Sequence, residues 1–136
     1  MADPAAARYV HWGATSQDIM DTGLALRLRR ALALCDTRLA GLTAALADAA
    51  GAHRALPMAA RTWGMPATPT SFGAVIAGWG MPLVRHRARL ATLRPGVEAA
   101  SLAGAAGTLS AMGSAGPAVR AEMARRLGLT DPGGAT

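Results

Sequence analysis

The stretch HWGATSQDIMDT, His11 to Thr22, sets two adjacent hydroxyls, an amide and two carboxylates behind a glycine. A helix that starts here would offer free N–H groups beside the hydroxyls of Thr15 and Ser16, a combination that holds a carboxylate or a phosphate. His11 and Gln17 could add donors, and Gly13 lets the backbone turn or approach another group closely. The same residues also serve a plainer purpose. Thr15 to Asp18 has the T-x-x-D form of a capping box, and a long helix needs such a start. Spacing alone leaves capping and ligand holding open.

Two further clusters could carry chemistry. RTWGMPATPTSFG, Arg61 to Gly73, again places an arginine and threonines before a helix start, although a rigid, proline-braced connection would use the same residues. GAAGT, Gly104 to Thr108, is a glycine pattern with little specificity of its own. His53 and His86 read as surface histidines. Asp18 and Asp21 read as helix-start residues that favour the dipole.

Long helices must position these clusters. No proline occurs from Gln17 to Ala50, and Leu28, Leu32, Cys35, Leu39, Leu42, Leu46 and Ala49 follow a heptad seam. The pattern predicts one helix from Ser16 to Ala50, about 50 Å long at 1.5 Å per residue. Cys35 on that stripe predicts a buried, inert thiol. Gly51 to Pro69 reads as a loop with a short extended piece at Pro57 to Thr62. A second helix is expected from Pro69 or Thr70 to Leu93, packed antiparallel to the first and kinked near Trp79 to Pro82. The small-residue segment after it predicts one helical turn at Thr108 to Met112, and GPAVRAEMARRLGL predicts a short amphipathic helix. The tail TDPGGAT reads as turn-like and frayed. The class is all-α, a long-helix bundle.

Composition narrows the partners. All 14 basic residues are arginine and the net charge is +6, but the arginines are spread along the chain. The Arg85, Arg87, Arg89 cluster around His86 reads as a solvated helix face, so no nucleic-acid partner is expected. One cysteine excludes a disulfide framework and a cysteine metal site. No apolar run approaches the roughly 18 residues of a membrane span, and MADPAAARYV lacks the form of a signal peptide. No membrane association is expected, and the cytoplasm is the expected location.

Taken together and in order, the three clusters are specific. The chain resembles the fumarase/aspartase superfamily of mostly helical, homotetrameric enzymes, which make or break a C–N or C–O bond beside a carboxylate. YVHWGATSQDIMDT is similar to the first signature region of its adenylosuccinate lyase and carboxymuconate cycloisomerase branches, and RTWGMPATPTSFG to the second. SLAGAAGTLSAMGSAGPAVRAEMARRLGL is similar to the stretch after the second region in the cycloisomerase branch, and the tryptophan of RTW favours that branch. The resemblance implies a small di- or tricarboxylate substrate, a homo-oligomer, and neither metal nor cofactor. It assigns substrate contacts to His11, Thr15, Ser16 and Gln17, and to Arg61 and Thr62.

The match departs from the family at two points. Trp63 and Pro66 stand where a proton-transferring histidine falls in one branch or another, and Met65 replaces a usual glutamine. The serine- and glycine-rich third region with an MP.K.NP core, which supplies the catalytic serine, has no counterpart here. Residues 1–136 therefore read as one internal segment of such an enzyme, carrying part of the central bundle, with its N- and C-terminal parts outside it and little activity alone. Two other readings are an adenylosuccinate lyase-like enzyme and a non-catalytic helical assembly module.

Overall fold

The computed structural model describes residues 3–134. Its elements are α1 (Pro4–Ala7), α2 (Ser16–Ala52), β1 (Pro57–Thr62), β2 (Met65–Ser71), α3 (Phe72–Val97), a 3₁₀ segment (Ser110–Ala115) and α4 (Gly116–Leu127). The helical class expected from the periodicity holds, with one small hairpin added. The chain forms two compact units, Leu32–Thr92 and the residues on either side of it.

Within Leu32–Thr92, α2 and α3 run antiparallel. Asp36 pairs with Arg87 at 2.8 Å, Leu46 lies over Gly80, and Ala50 meets Gly73, so partners rise along one helix as they fall along the other. α3 packs against Asp36, Thr43, Ala47 and Ala50, a stripe one residue on from the heptad seam. One residue is about 100° of helix rotation. Of the seam, Leu46 therefore reaches α3, while Leu42 is half exposed and Cys35 is exposed rather than buried as its stripe predicted.

The proline-rich connection is a hairpin, not a loop. The extended piece at Pro57 to Thr62 is its first strand; Met65–Ser71 pairs with it antiparallel, with an irregularity between Ala59 and Arg61. Proline is tolerated because both strands are edges, where a missing N–H breaks no ladder. Trp63 and Gly64 form the turn with φ of 52° and 76°, the left-handed pair that suits two-residue hairpin loops.

The ladder also moves the start of α3. Thr70 pairs with Met58 and stays extended, so the helix begins at Phe72, not at Pro69 or Thr70. Ser71 caps it, its Oγ accepting from the Ala74 N–H at 3.1 Å. α3 then continues through Pro82 and Pro95 to Val97, past the expected end at Leu93. Packing overrides propensity here, since Gly80 is buried under Leu46, with 3.6 Å left for a Cβ.

In the other unit, Ala25, Ala100, Ala124 and Leu129 form the core, flanked by Leu26, Met123 and Leu127. Alanines bring backbones close, and polar links hold them. The Thr22 hydroxyl donates to the Ser101 carbonyl and accepts from its N–H, both at 2.9 Å. Arg29 donates to the carbonyls of Leu127 and Gly128, at 2.5 and 2.8 Å, and so caps α4. The expected turn at Thr108 to Met112 is displaced to the 3₁₀ segment, because Leu109 takes a left-handed φ of 52° before it. The tail is not frayed over its described part. The Thr130 N–H donates to the Glu98 carbonyl at 2.8 Å, and Asp131 pairs with Arg120 at 2.6 Å. Its last two residues lie outside the described range.

Two glycines of α3 give opposite expectations. A Cβ on Gly73 would collide with the Ala50 carbonyl and sit 2.7 Å from the Arg54 Cα, whereas one on Gly78 meets nothing within 4 Å. Gly73→Ala should lower stability in urea denaturation by about 3 kcal/mol through overpacking. Gly78→Ala should raise it by about 0.5–1 kcal/mol through helix propensity.

Candidate functional site

Asp18 organises the region around the first cluster. The residue is 4% exposed. One carboxylate oxygen accepts from the Thr15 N–H at 2.9 Å and the Gly104 N–H at 3.0 Å. The other accepts from the Ala103 N–H at 2.9 Å and the Ser101 hydroxyl at 3.3 Å. The Thr15 contact is the reciprocal half of a capping box, in which the residue at the third helical position reaches back to the cap. The other three tie the start of α2 to Ser101–Gly104, a role far from the local helix-start part that the sequence assigns to Asp18.

Burial alone would push the Asp18 carboxyl up. The N–H groups of Ala103, Thr15 and Gly104 and the Ser101 hydroxyl outweigh it and hold the carboxyl below the usual carboxylate range.

With Asp18 satisfying the Thr15 N–H, the hydroxyls of Thr15 and Ser16 make no hydrogen bond among the described residues. Thr15 is half-buried and Ser16 exposed. The first-turn N–H groups beside them have no intrahelical partner. A recess of about 290 Å³ opens just before them in the chain, walled by Gly13 and Ala14 on one side and by Gly104, Thr108 and Ser110 on the other; neither Thr15 nor Ser16 lines it. The walls touch closely, since a Cβ on Gly104 would lie 2.9 Å from the Gly13 carbonyl oxygen. The Trp12 indole N–H donates to the Ala111 carbonyl at 3.2 Å and closes one end.

His11 is exposed and left-handed, with φ of 63°. The Gln17 amide is turned along the helix and donates to Asp21 at 2.6 Å. His11, Thr15, Ser16 and Gln17 thus share one end of α2, with Gln17 already engaged. Arg61 and Thr62 lie in the other unit, both exposed near the hairpin tip, where Arg61 donates to the Gly64 carbonyl at 3.3 Å. Trp63 beside them is fully exposed. His53 packs against Phe72, and the Arg85–Arg89 cluster is partly engaged, by Asp36 and by His86. Among the described residues, no three His, Cys, Asp or Glu side chains gather as a metal site, and no helix is long and apolar enough to cross a membrane.

The second wall of the recess is not legible in the sequence. GAAGT is a weak pattern, and its pairing with Asp18, through Gly104, is made across 86 residues. The one local signal is T-x-x-D, which discloses the cap and not the distant donors.

The chain is similar to known proteins over nearly its whole length. A family model described as lyase matches residues 2–133. The chain is 50% identical to a 3-carboxy-cis,cis-muconate cycloisomerase of Pseudomonas aeruginosa, over 96% of its own length and 28% of that protein. It is 37% identical to an adenylosuccinate lyase of Archaeoglobus fulgidus, over 90% of the chain and 28% of that protein. The crystal structure of a 3-carboxy-cis,cis-muconate lactonizing enzyme from Pseudomonas putida superposes with a TM-score of 0.90 at 45% identity, over 97% of this chain and 30% of that one. The chain spans under a third of the length of these relatives.

Asp18→Asn should destabilise the protein by about 2–3 kcal/mol, the scale of hydrogen bonds to a charged group. The lowered folded-state pKa fixes the sign with pH. The contribution of Asp18 is fully present above the ordinary aspartate pKa of about 3.9 and is lost as pH falls through the lowered value. Urea denaturation from pH 7 to pH 2 should show the gap between wild type and variant closing below about pH 4.

Proposed function

The chain belongs to the lyase family, and from that premise we propose that it carries the carboxylate-holding part of a 3-carboxy-cis,cis-muconate cycloisomerase-type active site. The reaction is an intramolecular addition. A substrate carboxylate oxygen bonds to one carbon of a conjugated double bond, the adjacent carbon gains a proton, and a carboxymuconolactone results. Negative charge builds on the carboxylate next to that second carbon before the proton arrives. Donors fixed in advance around it lower the barrier.

The observation that carries this reading is the freedom of the Thr15 and Ser16 hydroxyls. Asp18 has taken over capping, so both remain available at the open first turn of α2, directly after Gly13 and Ala14 of the recess wall. His11 adds a donor from the preceding turn, and the family resemblance assigns carboxylate contacts to Arg61 and Thr62 as well. Gln17 ranks below them because Asp21 holds its amide. Identity favours the cycloisomerase over the adenylosuccinate lyase, 50% against 37%. No step is assigned to the exposed Trp63 or Pro66, since neither exchanges a proton. The reading places the enzyme in the cytoplasm, working without metal or cofactor.

Residues 1–136 alone should bind 3-carboxy-cis,cis-muconate without turning it over. Groups for general acid–base catalysis are worth about 10²–10⁴-fold, and none of the residues named here is assigned that role. Calorimetric titration should give a saturable isotherm that Thr15→Val with Ser16→Ala weakens about tenfold. Absorbance of the diene should stay constant over hours. Lactone formation by the purified chain would reject the assignment of roles, and an unchanged isotherm in the double variant would reject the clamp.

We also propose that the chain self-associates through α2. Leu34 and Leu42 are 58% and 50% exposed, and large apolar residues in such number mark an interface. Sedimentation equilibrium should show an oligomer at micromolar concentration. Leu34→Gln with Leu42→Gln should shift it toward monomer, and a wild-type monomer would refute the interface.

A further inference from the structure

We propose that Thr108 and Ser110 are substrate contacts, forming with Gly104 the second wall of the carboxylate site, and that Asp18 is the residue that positions this wall. The inference rests on the reading of Thr15 and Ser16 as carboxylate contacts, which follow directly after Ala14 of the first wall. Both new hydroxyls line the 290 Å³ recess opposite Gly13 and Ala14. Thr108 and Ser110 are not engaged: neither hydroxyl has a hydrogen-bond partner among the described residues.

The segment is held in place for this purpose at both ends. Asp18 takes the N–H groups of Ala103 and Gly104, and the Leu109 N–H donates to the Ala103 carbonyl at 2.9 Å. Leu109 is 8% exposed and anchors the segment from below, so the flanking side chains of Thr108 and Ser110 are presented outward. Its left-handed φ of 52° is costly for a residue with a branched side chain. His11 carries the same kind of conformation beside the opposite wall, at 63°. Sterically disfavoured backbone on both sides of one recess persists only where the surroundings over-determine it. Here the surroundings are the Asp18 contacts, the Trp12 bond to Ala111 and the burial of Leu109.

The chemistry suits a substrate with more than one carboxylate. Thr15 and Ser16 offer two hydroxyl donors at the helix start, and Thr108 and Ser110 offer two within the recess. A tricarboxylate can present separate groups to each wall. A monocarboxylate can occupy only one.

The test is calorimetric titration of 3-carboxy-cis,cis-muconate into the wild-type chain, Thr108→Val with Ser110→Ala, Thr15→Val with Ser16→Ala, and Asp18→Asn. The Thr108/Ser110 variant should bind about tenfold more weakly. Asp18→Asn should weaken binding too, and adding the Thr108/Ser110 changes to it should cost less than they cost in wild type, because the wall is already released. A merely structural role for Asp18 would leave the two effects additive. Amide NMR guards against misfolding: in the wild-type chain, ligand should shift the Gly104, Thr108 and Ser110 signals. Weakening by Thr15/Ser16 changes alone, with those three amides unmoved, overturns the second wall and leaves the first intact. Weakening by Thr108/Ser110 changes alone supports the wall and rejects the clamp at Thr15 and Ser16. No saturable binding to wild type rejects both.

Discussion

A single buried carboxylate connects the start of the long helix to a loop more than 80 residues later. Asp18 sits where the local sequence calls only for a cap. It fulfils that duty through the Thr15 N–H and uses its remaining capacity on Ser101, Ala103 and Gly104. A buried ionised carboxylate is costly unless it is fully hydrogen-bonded. Four donors meet that condition and also compensate the negative charge that would otherwise repel an anion at the same helix end. Capping by Asp18 leaves the neighbouring hydroxyls without a protein partner, so the cap and the proposed site follow from one interaction.

Around that contact the molecule is built on small residues. Alanines at positions 25, 100 and 124 form most of one core, and glycines at 73 and 80 let α3 lie against α2 in the other unit. Small side chains bury little area each, at about 25 cal/mol per Å². Stability in such a chain leans on close backbone approach and on polar links such as Thr22 with Ser101 and Arg29 with the end of α4. The same construction leaves Leu34 and Leu42 of α2 uncovered, because α3 centres on the adjacent stripe and takes only part of the heptad seam, at Leu46.

Periodicity and the absence of proline made α2 legible, with its end two residues from the expected one. α4 was legible for the same reason, its proline at the start and glycine after the end. The hairpin was not, because prolines that break a central strand are harmless on two edge strands, and only pairing reveals which case applies. Cys35 shows the limit of a helical stripe. A periodic face tells which residues are apolar, and the neighbour's approach angle decides which of them are covered. At the proposed site, TSQD disclosed the helix start and its cap. The tertiary partners of Asp18 could not be read, since nothing in GAAGT by itself points back to residue 18.

The local strain arises from the same contacts. A loop that only connected Ser101 to the 3₁₀ segment could relax Leu109 into an ordinary conformation. It cannot do so here while Ala103 and Gly104 are fixed by Asp18, Ala111 is fixed by Trp12, and Leu109 itself must stay buried. Anchors at both ends and in the middle of so short a segment leave the chain between them little choice of path. A left-handed Leu109 is the consequence, and the outward presentation of the hydroxyls on either side of it comes from the same constraint. Rigidity of this kind is what an anion site needs, because donors already in place cost nothing to organise when charge develops.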